Sequence, residues 1–408
     1  MTVISFAEIG LLFIFGFFQG YLALLSILAL FARHTAPSGT KLQRKFAVIV
    51  PAHNEEIALA RTVRSLRAIE YPKSLFDVIV VADNCTDRTA EIGREEGATV
   101  LERTNVTERG KGYALRWCFD QILDDAHAYD AVIIIDADSR ATKNFLTVMN
   151  QYLEHGAKAV QCSDMVEPQP DAWSSEATRL GFTLYNHVRP LGRSVIHCTA
   201  GVRGNGICFS TAVLKSIPWN TFSLNEDLEY GLILLLNGIS IDFAPEAKVF
   251  AIMPSSARNA ESQRSRWERG RFPVIKIYGP KLFKKAFTRF SFESFDAFVE
   301  LITPAFVNMF GASFFIFILH AAAWQLGIDF VKYFTAWWFF VVILGFLHVL
   351  VGLIAARADW LLWKAVLYIP RYAIWKIMLY AKLIRKKPDQ EWVRTTRDHT
   401  VKAFEKQS

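Results

Sequence analysis

The chain has 408 residues, of which 52% are hydrophobic and 14% aromatic, and its mean hydropathy of +0.21 is high for a soluble protein. Its net charge is +7, and residues 357–408 alone carry 12 Lys+Arg against 5 Asp+Glu, a surplus that accounts for all of it. The remainder is balanced, which argues against a basic nucleic-acid-binding face. The five cysteines are odd in number and form no C-x-x-C pair, so we expect reduced thiols without a zinc site or a disulfide framework.

The first element is an apolar stretch of 23 residues, Ile9 to Phe31, which contains no charged residue. This length is sufficient to cross a bilayer. A cleavable signal would have basic residues before it and a small-residue cleavage site after it, whereas Glu8 precedes this stretch and Arg33 follows it. We therefore predict an uncleaved transmembrane helix within residues 1–32. Further basic residues up to Lys45 place the domain that follows in the cytoplasm.

Residues 46–135 alternate short, β-branched apolar runs with helical patterns. The predicted strands are Phe46–Val50, Val78–Val81, Val100–Leu101 and Val132–Ile135, and the predicted helices are Ile57–Ile69, Arg88–Glu96 and Lys111–Leu123. This alternation predicts an α/β domain with a mostly parallel sheet and right-handed crossovers. Polar or acidic loops follow the strands, so we expect a ligand site at the carboxyl edge of the sheet.

Two carboxylates, Asp136 and Asp138, come directly after the fourth predicted strand. Two acids brought together at a strand end repel each other unless a cation lies between them, which favours a divalent metal. Acids also occur at ordinary strand-to-loop junctions, so the spacing of these two residues alone does not establish a metal site.

The pattern is less regular after residue 157. Further strands are predicted at Val160–Cys162 and Ile207–Ser210, and helices at Trp173–Val188 and Leu228–Leu236. Residues 281–301 mix basic residues with phenylalanines. This mixture indicates either an amphipathic helix in the membrane surface or an ordinary amphipathic helix packed on the domain.

Two further spans, Pro304 to Leu326 and Phe334 to Ala356, contain no Lys, Arg, Asp or Glu and form a predicted transmembrane hairpin over residues 304–356. Residues 359–385 are rich in Trp and Tyr but carry several basic residues, which are costly inside hydrocarbon. We therefore expect a broken interfacial helix there, within a basic cytoplasmic segment over residues 357–408. Three spans predict a multi-pass protein of the cell membrane.

The charged residues gathered at the predicted strand ends and loops suit a diphosphate. The sequence has no G-x-G-x-x-G after the first strand, no P-loop and no serine nucleophile elbow. Acids that hold a metal, together with basic side chains, would neutralise a leaving diphosphate. The acids concerned are Glu55, Asp83, Asp136, Asp138 and Asp227, and the bases are Lys111, Arg266 and Arg269.

Six motifs occur in a familiar order within residues 46–272. They are V-I-V-P-A-H-N-E-E (48–56), V-I-V-V-A-D-N-C-T-D-R-T (78–89), K-G-Y-A-L (111–115), D-A-D (136–138), N-E-D (225–227) and Q-R-S-R-W (263–267). Together they resemble the membrane-bound family 2 glycosyltransferases, which include cellulose, hyaluronan and chitin synthases and bacterial exopolysaccharide enzymes.

The resemblance implies a GT-A (Rossmann-like) fold and inverting transfer of a sugar from a nucleotide donor, usually UDP-linked. It also implies a role for each matching residue. Asp227 would be the general base, Asp138 would bind Mg²⁺ or Mn²⁺, and Asp136 would face the nucleotide. The base and ribose pocket would be formed by Pro51, Ala52, Glu55 and Asp83, with Lys111 nearby. The Q-x-x-R-W residues Gln263, Arg266 and Trp267 would close over the diphosphate and frame the acceptor channel.

Three of these residues also have a simpler interpretation. Asp227 could cap a helix, Lys111 could be solvated on its helix, and Trp267 could anchor the chain at a membrane interface. Rival functions are a nucleotidyltransferase, an inactive membrane scaffold and a processive polysaccharide synthase. We favour single addition of a sugar to a membrane-associated, lipid-linked or glycan acceptor, because two spans after the domain are few for a polymer channel. The expected partners are thus the nucleotide sugar, that acceptor and membrane lipids, with no nucleic acid.

Overall fold

The computed structural model describes residues 3–32, 41–124, 129–169, 172–253, 261–375 and 378, with the side chains of residues 3–5 and 261–269 outside the description. Its centre is an eight-stranded sheet with the strand order β3-β2-β1-β4-β7-β6-β8-β5. The strands are β1 Phe46–Ala52, β2 Phe76–Asp83, β3 Thr99–Arg103, β4 Ala131–Ile134, β5 Ser139–Ala141, β6 Ala159–Val166, β7 Ile207–Ser210 and β8 Asp242–Ala251.

The first half of the sheet is parallel, with β1 between β2 and β4 and with β3 beside β2. Strand β7 runs antiparallel to both β4 and β6, strand β6 is parallel to β8, and β5 is antiparallel to β8. The predicted α/β fold with a mixed, mostly parallel sheet is therefore confirmed. The antiparallel insertion of β7 was not part of the prediction.

Helices cover both faces of the sheet. The helices between the first and last strands are α2 Leu59–Arg67, α3 Thr89–Glu95, α4 Lys111–Ile122, α5 Phe145–Glu154, α6 Trp173–Phe182, α7 Arg189–Val195, α8 Thr211–Ser216 and α9 Glu226–Leu236. A π-helical turn, Thr183–Val188, joins α6 to α7 without a break. The predicted helix 173–188 is thus the first part of a longer, bent one.

Strand β4 shows why a continuous apolar run predicted a central strand. Successive side chains of a strand point to opposite faces of the sheet. Val132 and Ile134 belong to the apolar core on one face, and Ala131 and Ile133 to the core on the other. All four are at most 1% exposed, so each contributes to burial on its own side.

Three helices are long and apolar enough to cross a membrane, in agreement with the three expected spans. The apolar stretches are Phe6–Ala29, Phe306–Gln325 and Asp329–Ala355. They lie within α1 (Val3–Ala29), α12 (Phe306–Gln325) and α13 (Lys332–Ala355, preceded by a short 3₁₀ turn). Buried polar contacts join them, such as the hydrogen bond from Gln19 Nε2 to Ser313 Oγ at 2.9 Å.

The segment 281–301, predicted as one amphipathic helix, is divided between two. Helix α10 (Glu261–Thr288) ends in it, and α11 (Phe292–Ile302) follows. Leu282, Ala297 and Leu301 are buried in a cluster that includes residues of α9. Phe287 and Phe290 are 58% and 94% exposed. One side of the segment packs on the sheet domain, which is the alternative of an ordinary amphipathic helix. The other side exposes aromatic rings. Beyond α13 lies a short helix α14, Trp360–Ala365.

Helix α1 packs closely against α7 of the sheet domain. Gly192 approaches the α1 backbone so closely that a Cβ atom there would lie 2.1 Å from the carbonyl oxygen of Leu25. Beside this contact, Tyr21 of α1 donates a hydrogen bond to Asp296 at 2.8 Å, and Arg193 Nε donates one to the same carboxylate at 2.6 Å. These contacts attach the apolar helix to the sheet domain through α7 and α11.

We predict that Gly192→Ala destabilises the protein by about 1–3 kcal/mol, because overpacking forces two backbones apart. The matched control is Gly181→Ala in α6, where a Cβ would have nothing within 4 Å. That variant should be neutral or slightly stabilised, since alanine is the better helix former. Thermal melting of the purified protein in detergent measures both, and equal melting temperatures for the two variants would contradict the close packing.

Candidate active site

The carboxyl edge of the sheet opens into a cavity of about 1090 Å³. Eight of the residues expected at the site line it, from the ends of β1, β2 and β4 and from the starts of α4 and α9: Pro51, Ala52, Glu55, Asp83, Lys111, Asp136, Asp138 and Asp227. The other four lie on α10, and their side chains are outside the described part of the structure: Gln263, Arg266, Trp267 and Arg269.

Lys111 is the cation around which the site is built. Its Nζ donates to Asp136 Oδ1 at 2.6 Å and to the carbonyl oxygen of Gly204 at 2.8 Å. Burial alone would lower the pKa of Lys111, but the surrounding carboxylates of Asp136, Glu226 and Asp227 outweigh it and raise that pKa. Lys111 is therefore a charged member of the site and not a solvated surface residue.

Asp83, at the end of β2, is committed to an ion pair inside the protein. Its Oδ1 accepts from Arg103 Nη1 at 2.7 Å, and both side chains are less than 10% exposed. The carbonyl oxygen of Asp83 also lies 2.7 Å from His53 Nδ1, so the loops after β1 and β2 are tied together. The pair fixes the wall of the cavity at this point.

The turn Gly204-Asn205-Gly206 reaches the site because β7 runs antiparallel to β4. The residues before β7 thus lie beside the residues after β4, and Asn205 Oδ1 accepts from the backbone N–H of Asp136 at 3.1 Å. Gly204 has φ +83°, and a Cβ there would lie 2.3 Å from Asp227 Oδ2. Only glycine allows both this backbone conformation and this approach.

Asp227 lies in the first turn of α9, which begins two residues earlier than predicted, at Glu226. Burial raises the pKa of Asp227, and Lys111 opposes the shift. Burial also raises the pKa of Glu226. Repulsion from the neighbouring Asp227 raises that pKa further, and Lys111 lowers it. Two acids held at a helix N-terminus near one ammonium group give a carboxylate that can accept a proton.

Sequence reasoning missed Asp164. Asp164, on β6, is 4% exposed and accepts from Asn186 Nδ2 at 3.0 Å and from Asn205 Nδ2 at 3.2 Å. Burial and then repulsion from Asp136 raise its pKa well above the usual range. No motif pointed to Asp164, since only the pairing of β6 with β7 brings it to this edge.

The residues after β4 fit a Mg²⁺ or Mn²⁺ ion that takes most of its ligands from elsewhere. In the described residues no group of three or more His, Cys, Asp or Glu side chains could enclose a metal. Magnesium is usually held by one or two carboxylates together with substrate phosphates and water, so a full protein cage is not needed. Asp138 lines the cavity and is not fully buried, and Asp136 is already engaged by Lys111.

The comparisons with known proteins agree with this geometry. A family model described as "Glycosyltransferase like family 2" matches residues 43–270, more than half of the chain. The chain is 25% identical over 260 residues to the probable glycosyltransferase YdaM of Bacillus subtilis, covering 62% of this chain and 61% of that protein.

Two other relatives have more specific names. The chain is 35% identical over 236 residues to the low-salt glycan biosynthesis hexosyltransferase Agl6 of Haloferax volcanii, covering 57% of this chain and 54% of that protein. It is 25% identical over 249 residues to the beta-monoglucosyldiacylglycerol synthase of a Nostoc species, covering 58% of this chain and 51% of that protein. The matched region thus spans between half and two thirds of these relatives' length.

Among solved structures, the chain resembles the mannosyltransferase PcManGT of Pyrobaculum calidifontis, determined in complex with GDP-Man and Mn²⁺. The TM-score is 0.56 at 17% identity, over 83% of this chain and 96% of that one. At this identity the likeness establishes the fold, which is GT-A, and nothing about the ligands of this chain.

We predict that Gly204→Ala lowers turnover at least tenfold, because the new methyl group would displace the Asp227 carboxylate. Gly201→Ala is the matched control, since Gly201 also has a positive φ (+71°) but a Cβ there would have nothing within 4 Å. The free energy of unfolding of both variants should fall by roughly 1 kcal/mol because of backbone strain, so melting temperature and turnover are measured together. Equal turnover in the two variants would show that the approach to Asp227 is unimportant.

Proposed function

The chain belongs to glycosyltransferase family 2, and we propose that it is an inverting, metal-dependent transferase that moves a hexose from a UDP-sugar to a membrane-associated acceptor. The observation that carries the proposal is the arrangement of Lys111, Asp136, Asp138 and Asp227 around one cavity. That cavity is also lined by Phe306 and other residues of the apolar helices, so one space adjoins both a donor site and the expected membrane.

Asp227 is proposed as the general base. A sugar hydroxyl is a poor nucleophile, and removal of its proton in the transition state assists attack on the anomeric carbon. The new bond forms to the acceptor oxygen as the bond to the nucleotide diphosphate breaks, and the proton passes to Asp227. A single in-line displacement inverts the anomeric centre, so an α-linked donor gives a β-linked product.

The donor is proposed to lie along the ends of β1, β2 and β4. Pro51, Ala52, Glu55 and Asp83 would hold the base and ribose, and Lys111 and Asp136 would adjoin the diphosphate. Asp138 would hold Mg²⁺ or Mn²⁺, which when bound offsets negative charge on the leaving diphosphate. Gln263, Arg266 and Trp267, whose side chains lie outside the described residues, are proposed to close over it.

The acceptor is proposed to arrive from the membrane. The three candidate spans lie in helices that adjoin the sheet domain, and the exposed phenylalanines of the α10–α11 segment suit a membrane surface. With the N-terminus outside, three spans leave the catalytic domain and the basic tail in the cytoplasm. A lipid-linked or glycan acceptor would then meet the donor at the cytoplasmic face of the cell membrane.

A processive polysaccharide synthase is the second candidate, because the Q-x-x-R-W motif at residues 263–267 favours it. We propose single addition, because two spans after the catalytic domain are few for a polymer channel. Product length distinguishes the two: one added sugar for each acceptor supports single addition, and a ladder of longer products supports the synthase.

The test incubates purified protein with a panel of UDP-sugars, Mn²⁺ and membrane lipids and measures release of UDP and formation of glycosylated lipid. Asp227→Asn is expected to lower the rate by roughly 10²–10⁴-fold, the usual contribution of a general base. UDP binding should be retained, because the amide keeps the size of the carboxylate.

The matched control is Glu229→Gln, which alters another acid of α9. Glu229 Oε1 accepts from Tyr278 Oη at 2.8 Å, and glutamine can keep that hydrogen bond. This variant should retain its rate within twofold. Transfer by Asp227→Asn at the unmutated rate would refute the assignment of the base.

Lys111 should set the pH dependence of the reaction. Lys111 lowers the pKa of both Glu226 and Asp227 against the effect of burial, so removing its charge raises both pKa values. A base is active when deprotonated, and activity is lost as pH falls through its pKa. In Lys111→Met the acid limb of kcat/KM against pH should therefore move upward by about one unit or more.

Lys111→Arg is the control for this shift, because it keeps a positive charge at the same position. Its acid limb should move much less than that of Lys111→Met, even if its maximal rate falls. Identical acid limbs in the unmutated protein and Lys111→Met would show that the lysine does not tune the base.

A further inference from the structure

A second cationic cluster lines the same cavity on the side of the apolar helices. Arg189 of α7 and Arg203, just before the glycine turn, place their guanidinium carbons 4.8 and 4.3 Å from the ring centroid of Tyr185. Both face the same carboxylate oxygen, Glu300 Oε1, with nitrogens at 3.6 and 3.3 Å. Arg271 of α10 adjoins them and donates to the carbonyl oxygens of Glu300 and Leu301 at 2.6 and 2.7 Å.

This group, which we call the arginine cluster (Arg189, Arg203 and Arg271 with Glu300), carries more positive than negative charge. Arg189 and Arg203 share the carboxylate of Glu300, while Arg271 donates to backbone carbonyl oxygens beside it. The neighbouring Arg193 is neutralised by its own partner, Asp296, at 2.6 Å. The C-terminal carbonyl groups of α11 offset part of the Arg271 charge. Among the residues that the structure describes here, a formal charge of about +2 remains in a largely buried site, which is costly unless an anion completes it.

The excess of positive charge in the arginine cluster is costly because the cluster is buried. The side chains of Arg189 and Arg203 are 5% and 4% exposed, and the Nε atom of each has no hydrogen-bond partner among the described residues. Burial raises the pKa of Glu300, yet the arginines outweigh it and hold that pKa at about 2. The cluster therefore has both donors and positive potential to spare.

We propose that the arginine cluster binds a phosphate group carried by the lipid acceptor. This inference rests on the proposed transfer to a membrane acceptor and specifies its chemistry, namely a lipid whose head group contains a phosphate or diphosphate. Bidentate guanidinium groups suit phosphate oxygens, and Tyr185 holds two of them in place.

The position of the cluster favours the acceptor over the diphosphate of the donor. Lys111 adjoins the proposed donor site and donates a hydrogen bond to Asp136 there. The arginine cluster instead belongs to α7, which packs on α1, and to α11, which leads into α12. Arg203 is also adjacent in sequence to Gly204, the residue that touches Asp227, so a phosphate bound here would lie near the base and the apolar helices together.

The experiment measures binding and needs no turnover. Purified full-length protein in neutral detergent micelles is titrated with dioctanoyl phosphatidic acid and with dioctanoylglycerol, which has the same chains without the phosphate. The phosphatidic acid should bind at least tenfold more tightly. Equal affinity for the two lipids would overturn the proposal.

Charge variants separate a phosphate site from a merely structural cluster. Arg189→Gln/Arg203→Gln should reduce the affinity for phosphatidic acid at least tenfold, to that for dioctanoylglycerol, while UDP with Mn²⁺ binds within twofold of the unmutated value. Loss of UDP binding with unchanged phosphatidic acid binding would assign the cluster to the donor diphosphate and overturn the proposal.

Glu300→Gln should change the affinity for phosphatidic acid in the opposite direction. It therefore remains decisive if the double variant fails to fold. Removing the carboxylate leaves the arginines less neutralised, so phosphatidic acid should bind severalfold more tightly, an increase that unfolding cannot produce. Weaker or unchanged binding in a folded Glu300→Gln protein would contradict the proposal. Asp227→Asn should bind phosphatidic acid normally, so a failure of the base assignment and a failure of this proposal are distinguishable.

Discussion

The ammonium group of Lys111 lies 2.6 Å from Asp136 and 2.8 Å from the carbonyl oxygen of Gly204, and the geometry of the site depends on this pair of contacts. They join the start of α4, the loop after β4 and the turn before β7, three segments that are far apart in sequence. Without a cation here, the carboxylates of Asp136, Glu226 and Asp227 would repel one another. Lys111 thus allows several acids to be placed together while one of them is kept able to accept a proton.

A second constraint is the close attachment of the apolar helices to the sheet domain. Gly192 touches the backbone of α1, and Tyr21 and Arg193 share the carboxylate of Asp296. Residues of α13, including Val349 and Leu353, belong to the same apolar core as one face of the sheet. The cavity can therefore extend from the strand ends to these helices as one space, and both Lys111 and the arginine cluster line it.

The distribution of charge along this cavity suits the binding of the proposed donor and acceptor at different places. Acids and one lysine lie at the strand ends, where a nucleotide diphosphate and its metal would be held. Surplus guanidinium charge lies toward the apolar helices, where an acceptor would enter. The proposed base, Asp227, touches the glycine turn, which also accepts a hydrogen bond from Lys111 and follows Arg203 directly in sequence. A donor and an acceptor that each carry phosphate can thus be bound by different cations.

The sequence by itself determined six of the eight strands, the apolar spans and eight residues that line the cavity, because each leaves a local pattern. Strands β5 and β8 were not predicted. A buried strand such as β4 must be continuously apolar, a span must be long and uncharged, and polar residues after parallel strands must meet at one edge. Only the tertiary structure decided the rest. Asp164, Asn205 and Gly204 reach the site because β7 is inserted antiparallel between β4 and β6, and strand order has no local signature. The arginine cluster likewise combines residues from α7, α10, α11 and the turn before β7, and its excess charge becomes apparent only when their separation in space is known.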